Sequence, residues 1–213
     1  MRRHEHINPI FFILCVVFIV VAFFYFDQNI AYFFHQLDYK KNLPFMSWIT
    51  MIGSGPVQLL VLFSWAIGVN WFKPESLWQE RSWFLFFCVL IPNLICLALK
   101  MLVGRARPDL LFLDNIYGFY GVHLTQAKYW SFPSGHTTGI VSLFYGMHWI
   151  FPDYTRLWIL LGVLFIATRV LLDQHYLSDV VATACLTLLE LFIMMRVMRH
   201  QGWFQFKAYQ KAA

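Results

Sequence analysis

Charge is what this sequence has least of: charged residues fill 13% of its 213 positions, against roughly a quarter in water-soluble domains. With 60% of the residues hydrophobic, that shortage excludes an ordinary soluble globule. Cysteine is scarce too. Cys15, Cys88, Cys96 and Cys185 all fall inside apolar runs with neither disulfide nor metal-site spacing, which excludes a disulfide scaffold and a thiolate zinc centre and leaves four small buried hydrophobes. No carboxylate cluster suits a catalytic metal, so neither a metal nor a cofactor is expected. Gly- or Ser-rich linkers, low-complexity tracts and internal repeats are absent as well, so residues 1–213 read as one domain.

What the sequence does have is long uninterrupted apolar runs, the arrangement that distinguishes a bilayer protein from a merely hydrophobic one. Six are legible, at about 9–26, 48–69, 82–103, 135–151, 156–172 and 178–198. The first is free of charge and would extend roughly 27 Å at ~1.5 Å per residue, enough to cross a hydrocarbon core. The second contains Gly53, Ser54, Gly55 and Pro56, which predicts a local break satisfied by neighbouring helices. The expected fold class is therefore all-α, a polytopic membrane protein built as a six-transmembrane-helix bundle. Arg2 and Arg3 ahead of the first run resemble a signal peptide, but its bulky end at Phe23, Phe24, Tyr25 and Phe26 lacks a small-residue cleavage site, so the run reads as retained. Residues 200–213 read as a polar interfacial tail.

With six spans both termini share one side of the membrane. That side collects Arg2, Arg3, Lys73, Arg81, Arg156, Arg196, Arg199, Lys207 and Lys211, nine cations, against Lys40, Lys41, Arg105 and Lys128, four, on the other once Lys100, Arg107 and Arg169 are set aside as candidate site residues. The bias predicts cytoplasmic termini in a bacterial inner membrane, with the first, third and fifth loops facing the periplasm. The net charge of +5 is then a matter of topology, and no nucleic-acid partner is expected. Oligomeric state is not legible.

Three stretches exceed what a structural membrane protein needs, each at the outer end of a span. Lys100 and Arg107 stand seven residues apart, two helical turns, and return to nearly the same face. In 129–137, Pro133 and Ser134 mark a helix start, so the amides of Gly135, His136 and Thr137 can point at an anion. Arg169, His175 and Asp179 straddle the turn into the last span. Three cations, two histidines, a carboxylate and a helix amino end can converge there, a set suited to phosphate. His175 and Asp179 are four apart on one helix face, so the carboxylate can take a proton from one ring nitrogen and leave the other's lone pair to attack phosphorus. His136 can then protonate the departing oxygen and activate water.

The simpler readings are span-end cations snorkelling to headgroups and histidines packed as polar fillers. Against them, an ionised group at mid-bilayer costs ~2.5–3.5 kcal/mol on insertion scales, and here several recur in order. His148 and Glu190 lie about 18 Å and 16 Å along their helices from His136 and Asp179, too far to join. Asp109, Asp114, His123, Lys128 and Asp173 read as solvated loop residues near the substrate. The long loop 104–132, with Tyr117, Phe119, Tyr120, Tyr129 and Trp130 and Phe132 at its end, reads as an interfacial lid beside the pocket.

The pattern Lys100-x6-Arg107-Pro108, Pro133-Ser134-Gly135-His136, Arg169-x5-His175-x3-Asp179 resembles the three-part signature of the type 2 phosphatidic acid phosphatase superfamily, departing only in Thr168 where serine is common. The resemblance implies a six-helix bundle and a metal-free phosphohistidine route. His175 would be the nucleophile, Asp179 its orienting acid and His136 the general acid, with Lys100, Arg107, Ser134, Gly135 and Arg169 binding the phosphate. The implied substrate is a phosphorylated membrane lipid: undecaprenyl diphosphate, phosphatidylglycerol phosphate, phosphatidic acid or a lipid A phosphate. A phosphotransferase using a second lipid as acceptor is the alternative. A noncatalytic lipid binder or transporter would have no need of the nucleophile and its acid. The soluble vanadium-dependent haloperoxidases share this pocket pattern but not the spans.

Overall fold

The computed structural model describes residues 9–42 and 44–203, and within them the chain is helical almost throughout, with no strand. Arg2, Arg3, Lys207, Lys211 and the tail beyond Trp203 lie outside the described residues. The first helix, α1 (Pro9–Val21), runs through a π-turn at Ala22–Phe26 into α2 (Asp27–Leu37). It therefore does not end at Phe26 as the charge on Asp27 predicts. Asp27 is fully buried against an arginine and a serine, so its charge no longer forces the helix out of the core.

Short helices α3 (Tyr39–Asn42) and α4 (Pro44–Thr50) lead to a 3-10 turn at Met51–Gly53, and α5 (Gly55–Phe72) restarts after Ser54 with a proline in its first turn. The expected break is thus present. Its free carbonyl at Ile52 accepts from Gln58 Nε2 at 2.8 Å, the kind of internal repair that an apolar surrounding demands.

Helix α6 (Leu77–Val103) ends at Gly104 in the left-handed region (φ 56°), where an added Cβ would run into the Gly121 carbonyl oxygen. Then follow α7 (Pro108–Asp114), α8 (Gly135–Ile150), α9 (Thr155–Leu171) and α10 (Leu177–Gln201). The segment from 104 to 132 is no loose flap. Its backbone is tied to the end of α6 by His123 N–H to Met101 O (2.9 Å) and stitched to itself by Tyr120 N–H to Gly104 O (2.8 Å), Ala106 N–H to Gly118 O (3.0 Å) and Ser131 N–H to Arg105 O (3.0 Å).

Five helical stretches are long and apolar enough to cross a membrane: Phe12–Leu37, Gly55–Phe72, Leu77–Val103, Pro152–Leu171 and Leu177–Gln201. The expected sixth, α8, has 16 residues, about 24 Å at ~1.5 Å per residue and short of a ~30 Å hydrocarbon core. It packs against α5, α6, α9 and α10, the most enclosed place in the bundle. An apolar core of Leu62, Phe84, Val89, Leu191 and Met195 with their neighbours fills one end. The opposite end, where α6 and α9 finish and α8 and α10 begin, gathers the polar residues. Cys88 and Cys96 are buried as expected, while Cys15 and Cys185 are half-buried.

Candidate active site

The site is assembled where four helix ends meet. Ser134 caps α8: its Oγ accepts from the Thr137 N–H at 3.4 Å and the Thr137 hydroxyl at 3.0 Å. The Ser134 N–H in turn donates to Thr183 Oγ1 on α10 at 2.9 Å, which pins the helix start to its neighbour. Gly135 follows beneath Lys100, with room for only 3.7 Å between an added Cβ and the lysine Cε. Lys100 Nζ donates to the Trp130 carbonyl at 3.0 Å, leaving two of its three N–H groups for another acceptor.

Arg169 lies in the last turn of α9, and its carbonyl accepts the N–H of Gln174 (3.1 Å) and of His175 (3.2 Å). That tight return, with Asp173 in the left-handed region (φ 55°), brings His175 back beside the arginine six residues earlier. Arg107 stands at the position before α7, ahead of Pro108, with its side chain not used as a cap. Lys100, Arg107 and Arg169 all lie close enough to His136 to act on its ring electrostatically, and Lys100 and Arg107 act on His175 as well. Neither the Arg107 nor the Arg169 guanidinium forms an ion pair among the described residues, and the Nε of each is buried without an acceptor. Three cations therefore converge with no carboxylate paired to any of them among the described residues.

Both histidines are held, but differently. The Gly53 turn leans on His136, so closely that a Cβ there would stand 3.3 Å from ring carbon Cδ2. His175 is 3% exposed, and its Nδ1 lies 2.7 Å from the Ser131 carbonyl oxygen. A carbonyl can only accept, so Nδ1 carries the proton and Nε2 keeps its lone pair. Burial first, then the charges of Lys100 and Arg107, outweigh the opposing effect of Asp179 and hold the ring's pKa down to about 3. It is neutral at physiological pH. Asp179, expected to take this proton directly, stands 3.9 Å from Nδ1, beyond hydrogen-bond reach; the nearer acceptor is main chain.

What Asp179 does contact escaped the sequence reading. Its Oδ1 accepts from Arg105 Nη1 at 2.6 Å, and its Oδ2 from Ser131 Oγ at 2.6 Å and the Tyr176 N–H at 3.1 Å. Arg105, counted above as a topological charge, is 2% exposed and also reaches Asp27 Oδ2 at 2.7 Å. Rings of Phe23, Tyr117, Phe119 and Tyr176 surround its guanidinium at 4.7–5.6 Å. Burial opposes its charge, yet Asp179 and Asp27 more than offset that and raise its pKa above the ordinary value. The sequence signal was faint: an acid at the end of an apolar run and an arginine two residues before Arg107.

The signature residues thus converge inside residues 81–203, which match the family model described as PAP2 superfamily. The chain belongs to the PAP2 superfamily. Among curated members of comparable sequence, the lipid A 1-phosphatase of Rhizobium johnstonii is 36% identical over 104 residues, 47% of this chain and 42% of that protein. The enzyme of the same name from Rhizobium etli is 36% identical over 106 residues, 47% of this chain and 44% of that protein. The chain thus covers less than half the length of these PAP2 relatives. No solved structure matches it.

Proposed function

We propose that this PAP2 protein is a bacterial membrane phosphatase that removes phosphate from a lipid through a phosphohistidine on His175, with a lipid A phosphate as the first substrate to test. The observation that carries the reading is the trio Lys100, Arg107 and Arg169, converging on two histidines with no paired carboxylate of its own. Such a trio suits a polyanion whose charge shifts during reaction, and buried donors act on it more strongly than they would in water. The relatives named lipid A 1-phosphatases favour that lipid over the other candidates.

In this mechanism His175 Nε2 attacks phosphorus as the bond to the lipid oxygen breaks. His136 gives that oxygen a proton, then takes one from the water that cleaves the phosphorus–nitrogen bond. At the start of α8 the Ser134 N–H is taken by Thr183 Oγ1, so the Gly135 amide and the Ser134 hydroxyl are the donors offered to the phosphate oxygens. This route asks for no metal, because the three cations stand where a metal would otherwise stabilise the phosphate charge. Enclosed α8 serves as the sixth crossing, and the charge bias puts the termini in the cytoplasm and the site at the periplasmic surface.

The test is phosphate release by the purified chain from lipid A 1-phosphate, undecaprenyl diphosphate, phosphatidylglycerol phosphate and phosphatidic acid, with and without chelator and without acceptor lipid. Release that survives chelation is expected, with no phosphoenzyme in His175→Ala and accumulated phosphoenzyme in His136→Ala on an activated ester. Turnover that only magnesium restores would remove the metal-free route. Phosphate appearing only with an acceptor lipid would make the protein a transferase.

A further inference from the structure

Asp27 belongs to the first helix, outside the segment that matches the family, yet it is joined to the candidate nucleophile by an unbroken series of buried contacts. Its Oδ1 accepts the Ser178 N–H at 2.9 Å, while its Oδ2 accepts the Ser178 hydroxyl, Arg105 Nη2 at 2.7 Å and the Tyr117 hydroxyl at 3.2 Å. Arg105 then grips Asp179 at 2.6 Å, and Asp179 holds the Ser131 hydroxyl at 2.6 Å. The Ser131 main chain is tied back to Arg105 by its N–H (3.0 Å), and its carbonyl receives the His175 Nδ1 proton at 2.7 Å. Asp27, Asp179 and Ser131 have no exposed surface and Arg105 almost none, so water offers none of them a substitute partner.

A peptide carbonyl orients an imidazole well only if the peptide itself cannot turn. Ser131 lies at the end of the 104–132 segment, and the bonds that fix it run to Arg105 and Asp179. Arg105 bridges two carboxylates, one on α2 and one on α10. Loss of the α2 carboxylate would free the guanidinium to draw wholly onto Asp179 and shift the oxygen that Ser131 needs. We propose that Asp27 and Arg105 are positioning residues, which through Asp179 and Ser131 fix the carbonyl that orients His175, making the first helix part of the nucleophile's support. This rests on the reading of His175 as the nucleophile.

The experiment uses the full chain in nanodiscs as parent, Asp27→Asn and Ser131→Ala. The second variant cuts the relay while leaving the Asp27–Arg105–Asp179 ion pairs in place, should the first fail to fold. Rapid quench is expected to show phosphoenzyme formation at saturating substrate slowed about 10²-fold in either variant, the scale of a misplaced reacting group. KM should hold, because Lys100, Arg107 and Arg169 are untouched. Nitrogen-15 spectra of the histidine rings, with His175 assigned by its loss in His175→Ala, should show the proton on Nδ1 in the parent and mixed tautomers in the variants. Folded variants with parental rates and the parental ring spectrum, or a change in KM alone, would overturn the proposal. A parent inactive on every lipid phosphate would instead sink the phosphatase reading, and the ring spectra would still decide the positioning claim.

Discussion

Replacing Gly139 with alanine adds one methyl group where α8 is pressed by main chain, and the structure fixes what that methyl meets. The new Cβ would lie 2.6 Å from Gln58 Oε1 and 2.9 Å from the Gly53 carbonyl oxygen. Neither can step aside cheaply, since Gly53 O is main chain and Gln58 is held through Nε2 to the Ile52 carbonyl at 2.8 Å. Overpacking of this kind costs ~1–3 kcal/mol, while alanine in a helix interior returns about 1 kcal/mol over glycine. The steric loss wins by up to ~2 kcal/mol, which at that ceiling is roughly 4–8 °C in Tm for a chain of this size. Activity should fall further than stability, because the displaced turn leans on His136. Two other glycines calibrate the result. Gly146→Ala meets the Leu85 Cδ1 methyl, the far end of a rotatable side chain, and Gly162→Ala meets only Phe144 Cδ2 at 3.5 Å. Thermal unfolding in detergent should therefore rank Gly162→Ala at or above the parent, Gly146→Ala between, and Gly139→Ala lowest, with initial rates depressed only in the last. A Gly139→Ala protein as stable and active as the parent, or a Gly162→Ala protein falling equally far, would refute this account of the turn.

Because His175 titrates near 3 in the fold and near 6.5 when unfolded, the unfolded chain binds a proton between those values that the native ring refuses. Stability from this group is thus complete above about pH 6.5 and is lost as pH falls toward 3; melting against pH should show that slope, flattened in His175→Asn, and a stability rising on acidification would contradict it. Asp179→Asn should slow phosphoenzyme formation by about 10²-fold, short of the ~10⁴ seen where an aspartate holds the histidine directly, since here the Ser131 carbonyl is the acceptor; rapid quench measures it, and the larger loss would argue for direct contact. A cysteine at Thr125, on the exposed side of the stitched loop, should react with an impermeant maleimide in intact cells, whereas labelling only after lysis would invert the orientation.

That the cations and histidines gather at one end of the bundle was legible because charges recurring at helix ends stand out, and helix ends are marked in sequence by Gly, Pro and Ser. Arg105 and Asp27 were not. A charge beside an apolar run looks the same whether it snorkels to headgroups or turns inward, and the partner that decides the matter lies 78 positions away. The length of the first helix was misjudged for the same reason. Conversely, Asp179 was placed at the right end of the right helix, but spacing along one helix cannot show that a main-chain carbonyl from elsewhere reaches the ring first.

The π-turn at Ala22–Phe26 acts as an angular offset. From α1 into the first residue of the turn the least exposed positions with described side chains are Cys15, Ile19 and Ala22, a spacing of four and three that a continuous α-helix would extend to position 26. Phe26 is instead 45% exposed, and the inward stripe resumes at Asp27, Ile30, Ala31 and Phe34. One extra residue in the turn shifts the register by a single position, about 100° of rotation at 3.6 residues per turn. The two halves of one rod therefore choose their inward faces independently. Wound as a continuous α-helix without that turn, the same sequence would bring Phe26 inward toward the guanidinium of Arg105 and turn the Asp27 carboxylate about 100° toward lipid, whereas deleting one residue of the turn would straighten the rod and keep the carboxylate facing inward.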